Sequence, residues 1–596
     1  MGNNARSAWR RRLAKAAGTK KAWNFRCGEI RTQILVSAGL WPEFERPPLK
    51  NEVFGAIERN GYSIEKVRLE TWPGFWLTGN LYRPLAPGRH PGVACPHGHC
   101  KEGRFNDTEI MSVPGRAIGL TKLGCVVFTY DMVGYGDLKQ IPHEFSDVPW
   151  GLSLLGLQLW DSLRAVDFLS ELPCVDKARL GVTGASGGGT QTFLLAAVDP
   201  RITCAAPVNM VAAGCQGGCS CENAPLLRID LNNVEIAAAV APRPLILPSC
   251  SGDWTADTPR LEGPAIAKVY RSLGVPRRFR WTRTDAEHNY NREAREYVYA
   301  WFAHWLCREP LADRRTEEPF QVEPRENLQI YTPGLPPGRG LVGADELKTA
   351  LKERIRAQMD SLWPRDEAGL ARFRELMLPA LRHTLSARWP QKKEITKKPG
   401  GKEYRLLPGP IRLEKRGKAA ILDVFIEGDP APRNARGWVL FLGRHEPEAP
   451  CNDGEIIRNP EWIQWQRNFP HTYHRTELAR QVQDILTAAS AVSGGKLAIS
   501  GMGRAGVPVL LARALMPERK VGRTCADLCG INDRSEETWT GIRLQPGILR
   551  VGGLRTAAIL CAPGELLLRG ASRFDTGIVR DAYRALGRER AFQVEP

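Results

Sequence analysis

The sequence predicts an α/β protein, in which a mostly parallel sheet carries helices on both faces and is followed by a second unit of similar rhythm. Three observations predict it. Short apolar runs at residues 92–95, 125–130, 180–183, 203–208, 245–247 and 278–281 alternate with helical stretches. Gly184-Ala185-Ser186-Gly187-Gly188 lies between one such run and the helical residues 190–198, which stop at Asp199-Pro200. Residues 497–506 then repeat the run and its glycine-rich turn, with Gly503 at the place of Ser186.

Taken in order, residues 1–45 read as a helical, amphipathic extension. Residues 62–70 and 75–82 alternate like paired strands around the turn Trp72-Pro73-Gly74. The βαβ rhythm then runs to a helix beyond His288 that puts Ala294, Tyr297, Val298, Trp301, Phe302 and Trp305 on one face. That helix closes a first unit, residues 46–308. Residues 309–340 are rich in proline and charge (Pro310, Pro319, Pro324, Pro333, Pro336-Pro337) and read as a linker, followed by a helical stretch at 344–382. The second unit, 391–596, has expected strands at 437–442, 496–500 and 556–561. In it Ile559-Leu560-Cys561-Ala562-Pro563-Gly564-Glu565 resembles the run ending at Gly252-Asp253, and Phe-Gln-Val-Glu-Pro occurs at both 320–324 and 592–596.

Composition narrows the class. The chain has 596 residues, 43% apolar and 25% charged, which is globular and too long for one ordinary core. No apolar run is long enough to span a membrane, so no membrane partner is expected. The net charge of +18 is spread along the chain without a nucleic-acid motif, so it reads as a solvated surface. The first 26 residues are basic, but no apolar core or small-residue cleavage site follows. The expectation is a cytoplasmic protein, or an exported one whose leader lies outside this sequence.

The chemistry centres on Ser186. A G-x-S-x-G turn between strand and helix is the signature of a nucleophile elbow, where small neighbours let a serine hydroxyl stand clear of a strained turn. Serine needs a base to take its proton and an acid to orient the base. Asp253 follows the strand at 245–247, 67 residues beyond the serine (253 − 186), and His288 follows the strand at 278–281, 35 residues further (288 − 253). Asp257 is the alternative acid, farther past its strand. Oxyanion donors are expected from the backbone N–H groups of Gly187 and His99, the latter in Pro96-His97-Gly98-His99 after an earlier strand. Trp254, Glu222 and Tyr135 are the expected substrate contacts, with residues 214–233 overhanging the site. Cys215-x3-Cys219-x-Cys221 lacks a fourth ligand at zinc-site spacing, and His97 and His99 lack a third. No metal and no cofactor are therefore expected. Free thiols are the first reading of the three cysteines and a local disulfide the second.

His97-Gly98-His99, Asp131-Met132-Val133-Gly134-Tyr135-Gly136, residues 184–189, Cys221-Glu222-Asn223-Ala224-Pro225, Ala241-Pro242-Arg243-Pro244, Gly252-Asp253-Trp254-Thr255 and His288-Asn289-Tyr290-Asn291 appear in order. Together they resemble the acetyl xylan esterase-like and dienelactone hydrolase-like α/β-hydrolases over about residues 30–308. The resemblance implies the α/β-hydrolase fold and a serine esterase acting on small acyl groups of carbohydrate or small-molecule esters. It assigns Ser186 as nucleophile, Asp253 as acid and His288 as base. Dienelactone hydrolases proper use cysteine, so a serine points to ordinary carboxylic esters. The second unit resembles the family only as a degenerate relative, lacking both nucleophile and base. A prolyl-oligopeptidase-type peptidase, a uronate-ester esterase and a non-catalytic carbohydrate-binding or scaffold protein are the rival readings. Whether the chain forms a homo-oligomer stays open.

Overall fold

The computed structural model describes residues 8–331, 340–400, 403–407, 411–429, 435–445, 464 and 467–596. Two nine-stranded sheets organise them. The first contains β1 (Lys50–Arg59), β2 (Tyr62–Trp72), β3 (Phe75–Pro84), β4 (His90–Pro96), β5 (Val126–Tyr130), β8 (Val175–Ala185), β9 (Ile202–Val208), β10 (Leu245–Cys250) and β11 (Phe279–Thr284), with β6 (Ser146–Asp147) and β7 (Leu152–Ser153) forming a separate short hairpin. Its order is β1-β2-β3-β5-β4-β8-β9-β10-β11. β1, β2, β3 and β5 pair antiparallel, and every later neighbour is parallel. This is the α/β sheet that the apolar runs predict.

β1 was not expected. It is an edge strand whose side chains are almost all exposed, so it lacks the apolar alternation that marks a half-buried strand. The parallel strands carry apolar side chains on both faces. Val93, Cys95, Val127, Ala185 and Cys204 pack under Trp301 and Phe302 of the helix Arg292–Trp305. Ala94, Val126, Phe128 and Val182 face the opposite core.

The second sheet contains β12 (Thr396–Gly400), β13 (Glu403–Leu407), β14 (Ile411–Lys415), β15 (Ile421–Ile426), β16 (Trp438–Leu442), β17 (Leu497–Gly501), β18 (Val521–Asp527), β19 (Glu565–Arg569) and β20 (Phe592–Glu595). Its order, β12-β13-β14-β16-β15-β17-β18-β19-β20, is that of the first sheet strand for strand, with the same antiparallel start and parallel remainder. Gly503, after β17, has φ +57, and Ser186, after β8, has φ +56. Both residues thus have a positive φ after their strand, but Ser186 leads directly into a helix whereas Gly503 opens a 3-10 turn before the helix Gly506–Ala514.

Three details of the second unit differ from expectation. Residues 556–560 belong to the helix Gly553–Leu560, with Cys561 capping it, and the strand is the next apolar run, β19. The Ala562-Pro563 pair thus precedes β19 as Ala241-Pro242 precedes β10, so the run 559–565 does not match the Gly252-Asp253 turn. The pentapeptide at 592–596 lies in β20, whereas 320–324 is extended chain outside the sheet. That repeat does not fall on equivalent positions.

The proline-rich stretch after residue 308 is no loose tether. Buried Glu317 accepts from Arg295 Nε and Nη2, both at 2.6 Å, and from the Tyr299 hydroxyl at 2.8 Å. The basic N-terminus is docked as well. Arg12 and Arg26 both pair with buried Glu235, at 2.6 and 2.8 Å, and Trp9 and Trp23 enter the core. The helices Ala344–Leu362 and Glu367–Leu385 pack between the sheets, and one continuous apolar cluster runs from Trp9 to Phe592. Arg550 reaches across, donating to the carbonyls of Gly39 (2.8 Å) and Pro42 (2.5 Å) over the Phe44 ring.

His445, beyond β16, is clamped between Asp484 at 2.8 Å and Glu477 at 3.0 Å. These carboxylates, Asp484 foremost, raise its pKa from 6.5 to about 9. A folded-state pKa above the unfolded one gives stability that is complete below pH 6.5 and is lost as pH rises through about 9. The contribution is at most about 3 kcal/mol, less what the burial of Asp484 takes back. Urea midpoints of wild type should fall across this window, and His445→Gln should flatten that part of the profile. Parallel profiles for the two proteins would contradict the assignment.

Candidate active site

β8 ends at Ala185, and the helix Gly187–Val198 begins two residues later. Ser186 joins them at φ 56°, ψ −125°, a conformation costing about 1–3 kcal/mol for a residue with a Cβ. The turn is held from both sides: Ser186 N–H donates to Val208 O at 3.2 Å, and Thr190 N–H donates to Ser186 O at 2.9 Å. The loop after β4 lies directly on the turn, which only glycine permits. A Cβ on Gly98 would stand 2.7 Å from Ala185 O, and one on Gly188 would stand 2.6 Å from Pro96 O.

Asp253 and His288 meet at the neighbouring strand ends. Asp253 Oδ1 accepts from the backbone N–H and hydroxyl of Thr255, both at 2.6 Å, and its Oδ2 lies 2.6 Å from His288 Nδ1. A buried carboxylate on Nδ1 fixes the tautomer that leaves Nε2 as a proton acceptor. His288 Nε2 is shielded from solvent and makes no hydrogen bond among the described residues, to Ser186 or to any other. The Trp254 ring covers the imidazole at 4.6 Å between centroids. Asn209, just past β9, donates to Asn289 O at 2.6 Å and so ties the histidine loop to the elbow side of the sheet. The alternative acid, Asp257, is engaged elsewhere, with Arg260 at 3.0 Å.

His97 is fully buried, with Nδ1 on Gly98 O at 2.7 Å and Nε2 accepting from Met132 N–H at 3.0 Å. Burial drives its pKa down to about 3, so it is neutral and braces the loop. It is not free to pair with His99 on an ion. Gly187 opens the helix, where the first N–H groups have no intrahelical acceptor, and the His99 imidazole lies beside it, 2.8 Å from where a Gly187 Cβ would be.

Glu222, one of the expected substrate contacts, is buried, and its carboxylate accepts from Gly218 N–H (2.9 Å), Cys219 N–H (3.1 Å) and the Thr190 hydroxyl (3.4 Å). It shapes the cysteine loop. Tyr135 is set among histidines, with its ring 4.9 Å from that of His143, 5.3 Å from His97 and 6.5 Å from His99. Burial, with the neighbouring thiols, pushes its hydroxyl up to about 12.

The cysteine triplet does not act as a unit. Cys219 and Cys221 converge with His99 and His143, and Cys215 is not among them. The expectation of no metal rested on the missing fourth ligand, and the fold supplies two histidines from other loops. His143 was missed. It lies 76 residues before Cys219, beyond any spacing rule, and only the Cys-x3-Cys-x-Cys pattern hinted at a site.

No family model matches the chain. A Bacillus subtilis protein named as a hydrolase, YtaP, is 27% identical over 190 residues, 29% of this chain and 61% of that protein. The thiohydrolase aneE of Aspergillus aculeatus is 29% identical over 145 residues, 24% of this chain and 40% of that protein. The chain thus spans less than two thirds of either relative. Among solved structures, the methylesterase BT1017 aligns at a TM-score of 0.50 and 26% identity, over 59% of this chain and 80% of that one. A glucuronoyl esterase from Solibacter usitatus is a more distant likeness, at a TM-score of 0.39 and 16% identity over 48% and 94% of the two chains. The fold is that of the α/β-hydrolases.

The close approach at Gly188 has a measurable cost. Gly188→Ala places a Cβ against backbone atoms of Pro96 and His97 and should destabilise by about 1–3 kcal/mol in urea. Gly28→Ala, in a helix with nothing within 4 Å of the added carbon, should instead stabilise by about 0.5–1 kcal/mol. Equal effects would show that the elbow packing is looser than described.

Proposed function

We propose that the chain is a serine ester hydrolase that removes acetyl or other small acyl groups from carbohydrate or small-molecule esters. The observations that carry this reading are the strained Ser186 turn after β8 and, after β11, a histidine whose tautomer a buried carboxylate fixes at 2.6 Å. Strain of that kind persists only where the surrounding structure holds it, and it concentrates at functional sites.

In the proposed reaction His288 Nε2 takes the Ser186 proton as Oγ attacks the ester carbonyl. Asp253 stabilises the imidazolium, and the N–H groups of Gly187 and His99 hold the oxyanion. His288 then protonates the leaving alcohol, and water repeats the sequence in reverse to free the acid. Trp254, tilted against the base at 4.6 Å between centroids, is the residue proposed to line the substrate beside it. The likeness to a methylesterase supports a second reading in which the ester is a uronate methyl ester and methanol leaves first.

The second unit, on this reading, is a copy without catalytic groups. Gly503 offers no nucleophile at the turn equivalent to Ser186, and no histidine follows His474. Its part is to buttress the segment over the site. Tyr473 donates to Asn223 at 2.8 Å, and His471 O and Thr472 O accept from the N–H groups of Leu226 and Arg228 at 2.7 and 3.0 Å.

Hydrolysis of p-nitrophenyl acetate, acetylated xylan oligomers, feruloyl esters and methyl uronates should be measured side by side. Ser186→Ala should lose at least about a thousandfold in kcat, and Asp253→Asn about ten-thousandfold with little change in KM. A fluorophosphonate should label wild type at Ser186 alone. Undiminished hydrolysis by Ser186→Ala would end the mechanism, and no turnover of any ester with no labelling would favour the non-catalytic reading. Preference for a peptide over every ester would favour the peptidase.

A further inference from the structure

We propose that His99, His143, Cys219 and Cys221 form a closed tetrahedral site for one zinc ion, which clips the loop beside the elbow to two other loops. The ligand atoms come from three connections at the same end of the sheet. His99 follows β4, His143 lies beyond β5, and the two cysteines lie in the segment after β9. All four donor atoms lie within 4.8 Å of one another. His99 Nε2 is 3.0 Å from Cys221 Sγ, and His143 Nε2 is 3.4 Å from Cys219 Sγ. A tetrahedron with Zn–N of about 2.0–2.1 Å and Zn–S of about 2.3 Å has edges of roughly 3.3–3.8 Å. The two N–S pairs already stand near that spacing, and donors at the 4.8 Å limit would close by about 1 Å to meet it.

The surroundings are those of a ligand set. His143 Nδ1 lies 2.6 Å from Val133 O, so it carries the proton and turns the lone pair of Nε2 toward the sulfur. Glu222 accepts the N–H groups of Gly218 and Cys219, fixing the loop that presents both sulfurs. Gly217, at φ +120, lets that loop close over Glu222, whose Cβ would stand 2.6 Å from any Cβ on Gly217. Pairwise, each thiol can donate to one imidazole across the 3.0 and 3.4 Å contacts. A divalent ion would instead engage all four donor atoms at one point.

The donor set selects the metal. Thiolate and imidazole favour zinc over the hard cations magnesium and calcium, and four protein ligands leave no position for water or substrate. On binding, each thiol gives its proton to solvent, so two thiolates and the ion form a neutral group. The role is therefore positional. The ligand imidazole of His99 lies against Gly187, and the same residue carries the N–H proposed for the oxyanion. Zinc at this site would hold that N–H in place without taking part in bond making.

The test is metal content of the full chain, purified without chelators and exchanged into metal-free buffer. Mass spectrometry of the metal should find about one zinc per chain in wild type, in Cys215→Ser and in Ser186→Ala. Because Ser186→Ala should keep its metal, the site stands or falls separately from the esterase reading. The Cys219→Ser/Cys221→Ser double variant and His143→Ala should each retain less than a tenth of the wild-type zinc, with circular dichroism unchanged. Cobalt(II) in place of zinc should give thiolate charge-transfer and tetrahedral ligand-field bands in wild type that the double variant lacks. A wild-type protein that holds no zinc and takes none from a chromophoric chelator overturns the proposal. So does a Cys219–Cys221 disulfide in the purified chain.

Discussion

The left-handed turn at Ser186 governs the arrangement around it. A serine at φ 56° is held only because its N–H and C=O are both engaged and because the loop 96–99 presses on it from above. That pressure requires glycine at 98 and 188, and it requires a rigid loop. Rigidity comes from behind, where buried His97 spans Gly98 O and Met132 N–H, and where Asp131 accepts from Arg104 and Thr78. The site is thus a short stack: a charged network, a neutral histidine braced against it, and the loop 96–99 pressed by both onto the strained turn. Relaxing any layer lets the turn return to an ordinary backbone conformation.

The two sheets share more than their strand order. Apolar packing is continuous between them, and the helices Ala344–Leu362 and Glu367–Leu385 fill the space where a flexible tether would otherwise run. Such a joint is closer to a single core than to two beads on a string, since a large apolar interface suppresses relative motion. Residues 471–473 reach the backbone and side chains of the segment 223–228, so the shape of that segment depends on both halves.

The legibility of the chain follows the range of its interactions. β4, β5, β8, β9 and β10 were readable because each buries a run of apolar side chains, and burial on both faces leaves a continuous signal, while β2 and β3 showed by alternation. β1 was invisible because it is an edge strand whose mostly exposed side chains leave no apolar alternation. Residues 556–561 misled because a short buried helix and a buried strand have the same composition, and only length and partners separate them. Glu222 was read as a substrate contact since a polar residue in a Cys-Glu-Asn turn looks exposed in one dimension. In three dimensions the turn folds over it.

By itself the sequence determined the fold class, the elbow and the order of Ser186, Asp253 and His288, because each is encoded locally by a strand, a turn and one side chain. Only the tertiary structure decided which acid reaches His288, putting Asp253 at 2.6 Å from its Nδ1 and Asp257 on Arg260. It also decided that the proline-rich stretch and the basic N-terminus are docked, and that two histidines face two cysteines across loops far apart in the chain. Contacts of that kind depend on where separate strand ends come together, and residue spacing along one chain carries no record of it.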